Sequence, residues 1–69
     1  MPLPFAGVGK SCTIQKITGK DEVRRHLASL GFAPGETVTI ISELGGSLII
    51  GVRESRVALD RSLAGRILV

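Results

Sequence analysis

Few side chains in this chain of 69 residues could do chemistry, and the single histidine, His26, is the first to consider. Glu22 lies four residues before His26, so the two side chains would share one face of a helix. Cys12, the one thiol, is a conceivable third metal ligand. Two ligands and an unplaced third are fewer than a structural metal site usually has. We therefore expect no bound metal and no cofactor, with Cys12 packed as a small hydrophobic residue.

Nucleophilic catalysis and phosphate binding also find little support. A Cys12–His26 pair would need an activated thiolate in a partly exposed pocket beside an oxyanion hole, and nothing in the sequence indicates such a pocket. The segment GVGK, residues 7–10, lacks the first glycine of a phosphate-binding loop and the amphipathic helix that should follow it. We interpret this segment as a flexible lead-in and expect the protein not to be an enzyme.

Length and composition predict one domain, residues 1–69, with an aliphatic core. Hydrophobic residues make up 43% of the chain, yet Phe5 and Phe32 are the only aromatic ones, and we expect at least one of them to be buried. Nine glycines and many β-branched residues favour a β-rich domain. One cysteine, no apolar run of membrane-spanning length and no signal-peptide pattern at the start favour the cytoplasm.

One helix is predicted, approximately over Lys20–Leu30, in the segment TGKDEVRRHLASLG. Its apolar stripe, at spacings of four and three, consists of Val23, Leu27 and Leu30. The residues turned toward water are Arg24, Arg25 and Ser29. Thr18 with Asp21 resembles a capping box at the start, and Gly19 with Glu22 is a competing register. Gly31 suits the left-handed position after the helix, and Pro34 followed by Gly35 predicts a turn.

Five short segments predict strands, because apolar and polar residues alternate in them: Ser11–Ile17, Thr37–Glu43, Ser47–Arg53, Arg56–Leu59 and residues 66–69. In the first of these the alternation ends or bulges at Lys16. Gly45–Gly46 predicts a two-residue hairpin, Glu54–Ser55 a tight turn, and Asp60 the cap of one helical turn. A sheet this small hides its edges best by curling. The predicted fold is mainly β: a small SH3-like β-barrel of about five strands, with one helix after the first strand and a short helical turn before the last.

The composition argues against several binding functions. The net charge is +3, and the nine Lys and Arg residues are spread along the chain between acidic ones, so the clustered basic face of a duplex-binding protein is not evident. Two aromatic residues supply neither a stacking platform for single strands nor an aromatic groove for proline-rich peptides. We expect no nucleic-acid partner, which leaves a protein-binding module as the leading class.

Motifs in order along essentially the whole chain resemble those of FeoA, a family of small cytosolic proteins of the bacterial Feo ferrous-iron uptake system. They are LGF followed by PG at the helix end, a glycine-containing hairpin, and a closing ALDR segment: Leu30, Gly31, Phe32, Pro34, Gly35, Gly45, Gly46, Ala58 to Arg61, Ala64, Ile67 and Val69. The resemblance implies an SH3-like barrel without enzymatic activity. It also implies a role in supporting FeoB, the membrane ferrous-iron transporter with a cytosolic GTPase domain, which would recruit the protein to the inner membrane.

Two surfaces are candidates for contact with such a partner. The first is the outward helix face with Arg24, Arg25 and Ser29, which suits an acidic patch. The second is the hairpin tip, where Leu44 stands beside a tight turn at which a polar residue is commoner. Three alternatives stay open: an Fe(II) sensor or chaperone that uses His26, a nucleic-acid-binding barrel, and self-association through a free strand edge.

Overall fold

The computed structural model describes residues 1–69 and contains six strands, two α-helices and an N-terminal 3₁₀ helix. The predicted order is confirmed, with one helix near the start and one helical turn before the last strand. The elements are the 3₁₀ helix Leu3–Ala6, β1 Ser11–Thr13, β2 Lys16–Ile17, α1 Asp21–Ser29, β3 Thr37–Leu44, β4 Ser47–Val52, β5 Ser55–Asp60, α2 Arg61–Ala64 and β6 Ile67–Leu68.

The strands form two antiparallel sheets, one of four strands in the order β1-β3-β4-β5 and one that pairs β2 with β6. Their hydrogen bonds do not close into one continuous barrel. The β3–β4 hairpin is as predicted: Leu44 pairs with Ser47 across Gly45–Gly46, and Gly45 has a φ of +61°. A register shift between Ile40 and Ser42 marks a bulge in β3, and bulges strengthen the local twist.

The first predicted strand, Ser11–Ile17, is two strands that belong to different sheets. β1 pairs with β3, whereas β2 pairs with β6. Between them, the N–H of Ile14 donates to Glu36 O at 2.9 Å and the N–H of Gln15 donates to Leu68 O at 2.7 Å. Because successive amides bond to opposite sides of the domain, the chain crosses from one sheet to the other here. The alternation was predicted to end at Lys16, and the crossing lies just before it, at Ile14 and Gln15.

The predicted capping box at the start of α1 is wrong in both registers. The helix begins after Lys20, and no side chain accepts a hydrogen bond from its first turn. The Thr18 hydroxyl instead donates to Arg66 O at 3.1 Å, and the Thr18 N–H donates to the same oxygen at 2.8 Å. Thr18 therefore joins the helix entrance to the turn between α2 and β6. The predicted cap at Asp60 is confirmed, since its Oδ1 accepts from the Leu63 N–H at 2.6 Å.

The end of α1 is fixed by a Schellman motif. Gly31 has a φ of +102°. Its N–H donates to Ala28 O at 3.0 Å, and the Phe32 N–H donates to Leu27 O at 3.0 Å. The Phe32 side chain is fully buried. The helix therefore ends with its following residue turned into the core, which sets the angle at which the chain leaves it.

Two turns follow, one as predicted and one displaced by a residue. The first is closed by the Glu36 N–H, which donates to Ala33 O at 3.0 Å, with Gly35 at a φ of +91° as a type II turn requires. The β4–β5 turn lies at residues 53–54 and not at Glu54–Ser55, because Val52 pairs with Ser55. Arg53, in this turn, is the one non-glycine residue with a positive φ, +55°.

Replacing Gly31 by Ala is expected to lower the free energy of unfolding by about 1–2 kcal/mol. A Cβ there would lie 3.7 Å from Val52 Cγ2, an ordinary contact, so the cost is that of the left-handed backbone. Gly46→Ala is the matched control, because Gly46 has no positive φ and open space around it. Urea denaturation of both variants checks this, and equal midpoints would contradict the role given to Gly31.

The core is aliphatic apart from Phe32, and it includes the N-terminal segment. Twelve residues are buried, among them Leu3 at 0% exposure. The Gly9 N–H donates to Ile40 O at 2.7 Å and the Val69 N–H donates to Met1 O at 2.8 Å. The interpretation of residues 7–10 as a flexible lead-in is wrong for Gly9 and Lys10, since both are hydrogen-bonded to Ile40 in β3. No helix has the length and hydrophobicity needed to cross a bilayer.

Candidate functional site

The helix-face residues predicted to contact a partner are all exposed, but they are not equally free. Arg24 forms an ion pair with Asp21, one turn earlier in α1. The Ser29 hydroxyl donates to His26 O at 2.6 Å, so it is engaged by its own helix. Arg25 takes part in none of the three ion pairs of the structure. Its guanidinium is therefore the one on this face that is most available to an acidic group.

The hairpin tip presents Leu44 with 76% of its surface exposed, the largest exposure of any large hydrophobic residue. An ion pair at 3.0 Å joins Glu43, next to the tip in β3, to Arg61 in α2. Leu44 lines none of the clefts beside α1. The helix face and the hairpin tip are thus two separate surfaces, and contact of either with a partner stays a prediction.

A third surface, which the sequence did not predict, is a cleft between α1 and the two chain segments that flank it. We call it the α1 cleft. Its charged members, Lys16 and Arg24, are both basic, and half of its lining is hydrophobic. The lining residues are Gln15, Lys16, Ile17, Arg24, Ala28, Phe32, Ala33 and Pro34. An apolar floor with a basic rim suits an apolar side chain that has acidic neighbours.

Local sequence rules explain two of the three walls of the α1 cleft. Leu27 turns into the core, which leaves Arg24 and Ala28, four residues apart, on one outward face. The Schellman motif and the Pro34 turn place the opposite wall. Ala28 contributes only a methyl group, so the cleft stays open at the helix. The sequence signal for this cleft is the small Ala28 one turn after Arg24. The third wall is formed by residues 15–17, and their position is set by the sheet crossing.

The metal-ligand candidates are not brought together. Cys12 is a half-buried free thiol in β1, whereas Glu22 and His26 are exposed on α1. No three or more His, Cys, Asp or Glu side chains form a group that could hold a metal ion.

The three ion pairs of the domain each join an arginine to a carboxylate at the surface, and such exposed pairs contribute little to stability.

The fold and its clefts define a class: a small SH3-like β-domain whose recognisable features are exposed surfaces for contact. The chain shares this fold with solved structures that include one described as a prokaryotic SH3 domain protein. The FeoA domain matches residues 1–69. This chain therefore belongs to the FeoA family, and the resemblance inferred from its motifs is confirmed.

Three known proteins illustrate the relationship. The chain is 32% identical over 68 residues to a putative Fe(2+) transport protein A of Methanocaldococcus jannaschii. The aligned region covers 99% of this chain and 83% of that protein. An iron uptake regulatory protein, FeoA, has 35% identity and a TM-score of 0.87, with 96% of this chain and 88% of that one covered. Stenotrophomonas maltophilia FeoA, solved with zinc and described as a candidate ferrous iron transport activating factor, has 28% identity and a TM-score of 0.79, with 90% and 80% covered.

Proposed function

We propose that this chain is a non-enzymatic interaction module that supports or regulates the FeoB ferrous iron transporter from the cytoplasmic side of the membrane. Membership of the FeoA family supports the link to Fe(II) transport, as does its similarity to a putative Fe(2+) transport protein and to an iron uptake regulatory protein. The observation that carries the proposal is the α1 cleft, with its apolar floor and basic rim.

In this proposal the transporter places one apolar side chain, flanked by acidic residues, in the α1 cleft. Full burial of a leucine-sized side chain contributes about 1.5–3 kcal/mol. Lys16 at the rim, and Arg24, which shares its charge with Asp21, contribute mainly to the association rate and to orientation, as rim charges usually do. Arg25, on the adjacent outward face, extends the basic surface. The resulting contact is modest in strength, which suits a regulatory partner that must also dissociate.

Ala28→Arg tests the proposal most directly, because it fills the cleft without removing any buried atom. Arginine is a good helix former, so α1 stays intact. We expect the affinity for the matching FeoB in detergent, followed by NMR titration of labelled protein with and without a GTP analogue, to fall about tenfold or more. Ala58→Arg is the matched control, the same change at an exposed position of β5.

The same titration separates the candidate surfaces. Unchanged affinity for Ala28→Arg together with a loss for Leu44→Ala would move the contact to the hairpin tip. Equal losses for Ala28→Arg and Ala58→Arg would indicate that added charge alone disturbs binding, against a role for the cleft. Wild-type spectra that FeoB leaves unchanged in every nucleotide state would contradict the proposed function itself.

A further inference from the structure

One of the two aromatic residues is held outward on a rigid turn. Phe5 lies in the 3₁₀ helix Leu3–Ala6 and has 71% of its surface exposed. The other aromatic residue, Phe32, is fully buried. In a domain with so few aromatic side chains, leaving one of them largely exposed forgoes a large hydrophobic contribution to the core. The position of Phe5 is thus not explained by the stability of the fold.

The turn that carries Phe5 is fixed on both sides. Leu3 is fully buried, Pro2 bridges to Leu68, and the Phe5 N–H donates to Pro2 O at 3.1 Å. Pro2 and Pro4 restrict the backbone further, because the proline ring fixes φ. Phe5 is therefore presented in one orientation, and contact with a ligand would cost little additional ordering of the backbone.

Arginines accompany Phe5. A shallow depression beside it is lined by Pro2, Pro4, Phe5, Arg61, Ser62, Gly65 and Arg66, whose charged members are both arginines. Arg61 shares its charge with Glu43 at 3.0 Å, and both side chains are about half exposed. Arg66 takes part in no ion pair of the structure. We call Phe5, Arg61 and Arg66 the aromatic–arginine surface.

We propose that the aromatic–arginine surface contacts an anionic lipid bilayer, with Phe5 inserted at the level of the headgroups and the two arginines bound to lipid phosphates. Guanidinium groups bind phosphate oxygens in bidentate geometry, and an aromatic ring at the interface adds hydrophobic free energy.

This inference goes beyond the proposed function and does not depend on it, since lipid binding needs no transporter. A single inserted ring with two charges binds weakly alone. It would act by orienting the domain at the membrane, so that a second contact with a membrane protein becomes effectively intramolecular. The membrane-facing side and the α1 cleft would then have fixed directions relative to each other.

The test is co-sedimentation of the full chain with vesicles made of equal parts phosphatidylglycerol and phosphatidylethanolamine. We expect Phe5→Ala to lower the partition coefficient about tenfold and Arg66→Gln to lower it about fivefold. Added salt should weaken binding of the wild type, because the charges are exposed. Leu44→Ala is the matched control, since Leu44 is as exposed as Phe5 and lies outside the aromatic–arginine surface.

Several results would overturn the inference. They are no binding of the wild type to these vesicles, equal binding to neutral phosphatidylcholine vesicles, or equal effects of Phe5→Ala and Leu44→Ala. If the wild type does not bind vesicles but Phe5→Ala lowers its affinity for the transporter in detergent, the surface is a protein contact instead. Circular dichroism of each variant ensures that loss of folding is not the cause.

Discussion

Replacement of Phe32 by Ala is expected to lower the free energy of unfolding by about 3–5 kcal/mol, the largest effect of any single truncation in this domain. Phe32 is fully buried and is the largest side chain in the core. It also follows Gly31 in the Schellman motif, so its ring holds the end of α1 against the sheet. Its loss removes the transfer free energy of the ring and leaves a cavity where helix and sheet meet.

Urea or thermal denaturation followed by circular dichroism checks this expectation, with Phe5→Ala as the control. The same chemical change at 71% exposure should alter stability by less than about 0.5 kcal/mol. A domain of this size has roughly 3–10 kcal/mol in total, so Phe32→Ala would be largely unfolded if the total is small. Phe32→Leu, a partial truncation, then gives a measurable intermediate loss. Similar midpoints for Phe32→Ala and Phe5→Ala would contradict the packing described here.

Replacement of Leu3 by Ala is the second large effect, an expected loss of about 2–5 kcal/mol. Leu3 lies in the 3₁₀ helix at the start of the chain, where a truncation would ordinarily be harmless. In this structure it is fully buried and belongs to the same cluster as Ile67 and Ala64. The N-terminal segment is therefore part of the core, and its removal should be as costly as that of a strand.

Val8→Ala is the control for Leu3→Ala, because Val8 lies in the same segment with 55% of its surface exposed. Its free energy of unfolding should match the wild type within about 0.5 kcal/mol. Chemical denaturation of the pair separates a packed segment from a loose one. A Leu3→Ala variant as stable as Val8→Ala would contradict the inclusion of the first residues in the core.

The features predicted correctly are those that local sequence determines. Gly45–Gly46 specifies a tight hairpin, and Gly31 with Pro34 ends a helix, whatever the rest of the chain does. Asp60 caps α2 because its carboxylate reaches an amide three residues later. The alternation of apolar and polar residues is also a local feature, and it correctly predicted that β3 and β4 contribute side chains to the core.

The features that were missed depend on residues far apart in the chain. The division of residues 11–17 between two sheets follows from partners at Glu36 and Leu68, which periodicity does not reveal. Thr18 does not cap α1 as predicted, because its hydroxyl donates to Arg66 O, 48 residues away. The burial of Leu3 requires α2 and β6 to pack beside it, and its own neighbours, two prolines and an exposed Phe, resemble a loop.

The candidate site divides in the same way. Residue type and helical spacing predicted that Arg24, Arg25 and Ser29 face outward, and an unusual Leu beside a turn indicated Leu44. The α1 cleft was not predictable, because it joins α1 to β2 across the sheet crossing. Arg24 alone belongs to both the predicted surface and the observed cleft.

The pairing of residues 1–2 with residues 68–69 gives the chain a nearly circular course. Contacts of such high sequence separation raise the contact order, and they form only after a large loop has closed. The β2–β6 pair and the burial of Leu3 should thus be late events in folding, after the β3–β4 hairpin. Until residues 67–69 are available, Leu3 and Ile14 have no complete core to enter. The last step in the folding of this domain is therefore the pairing of residues 67–69 with the N-terminal segment and β2.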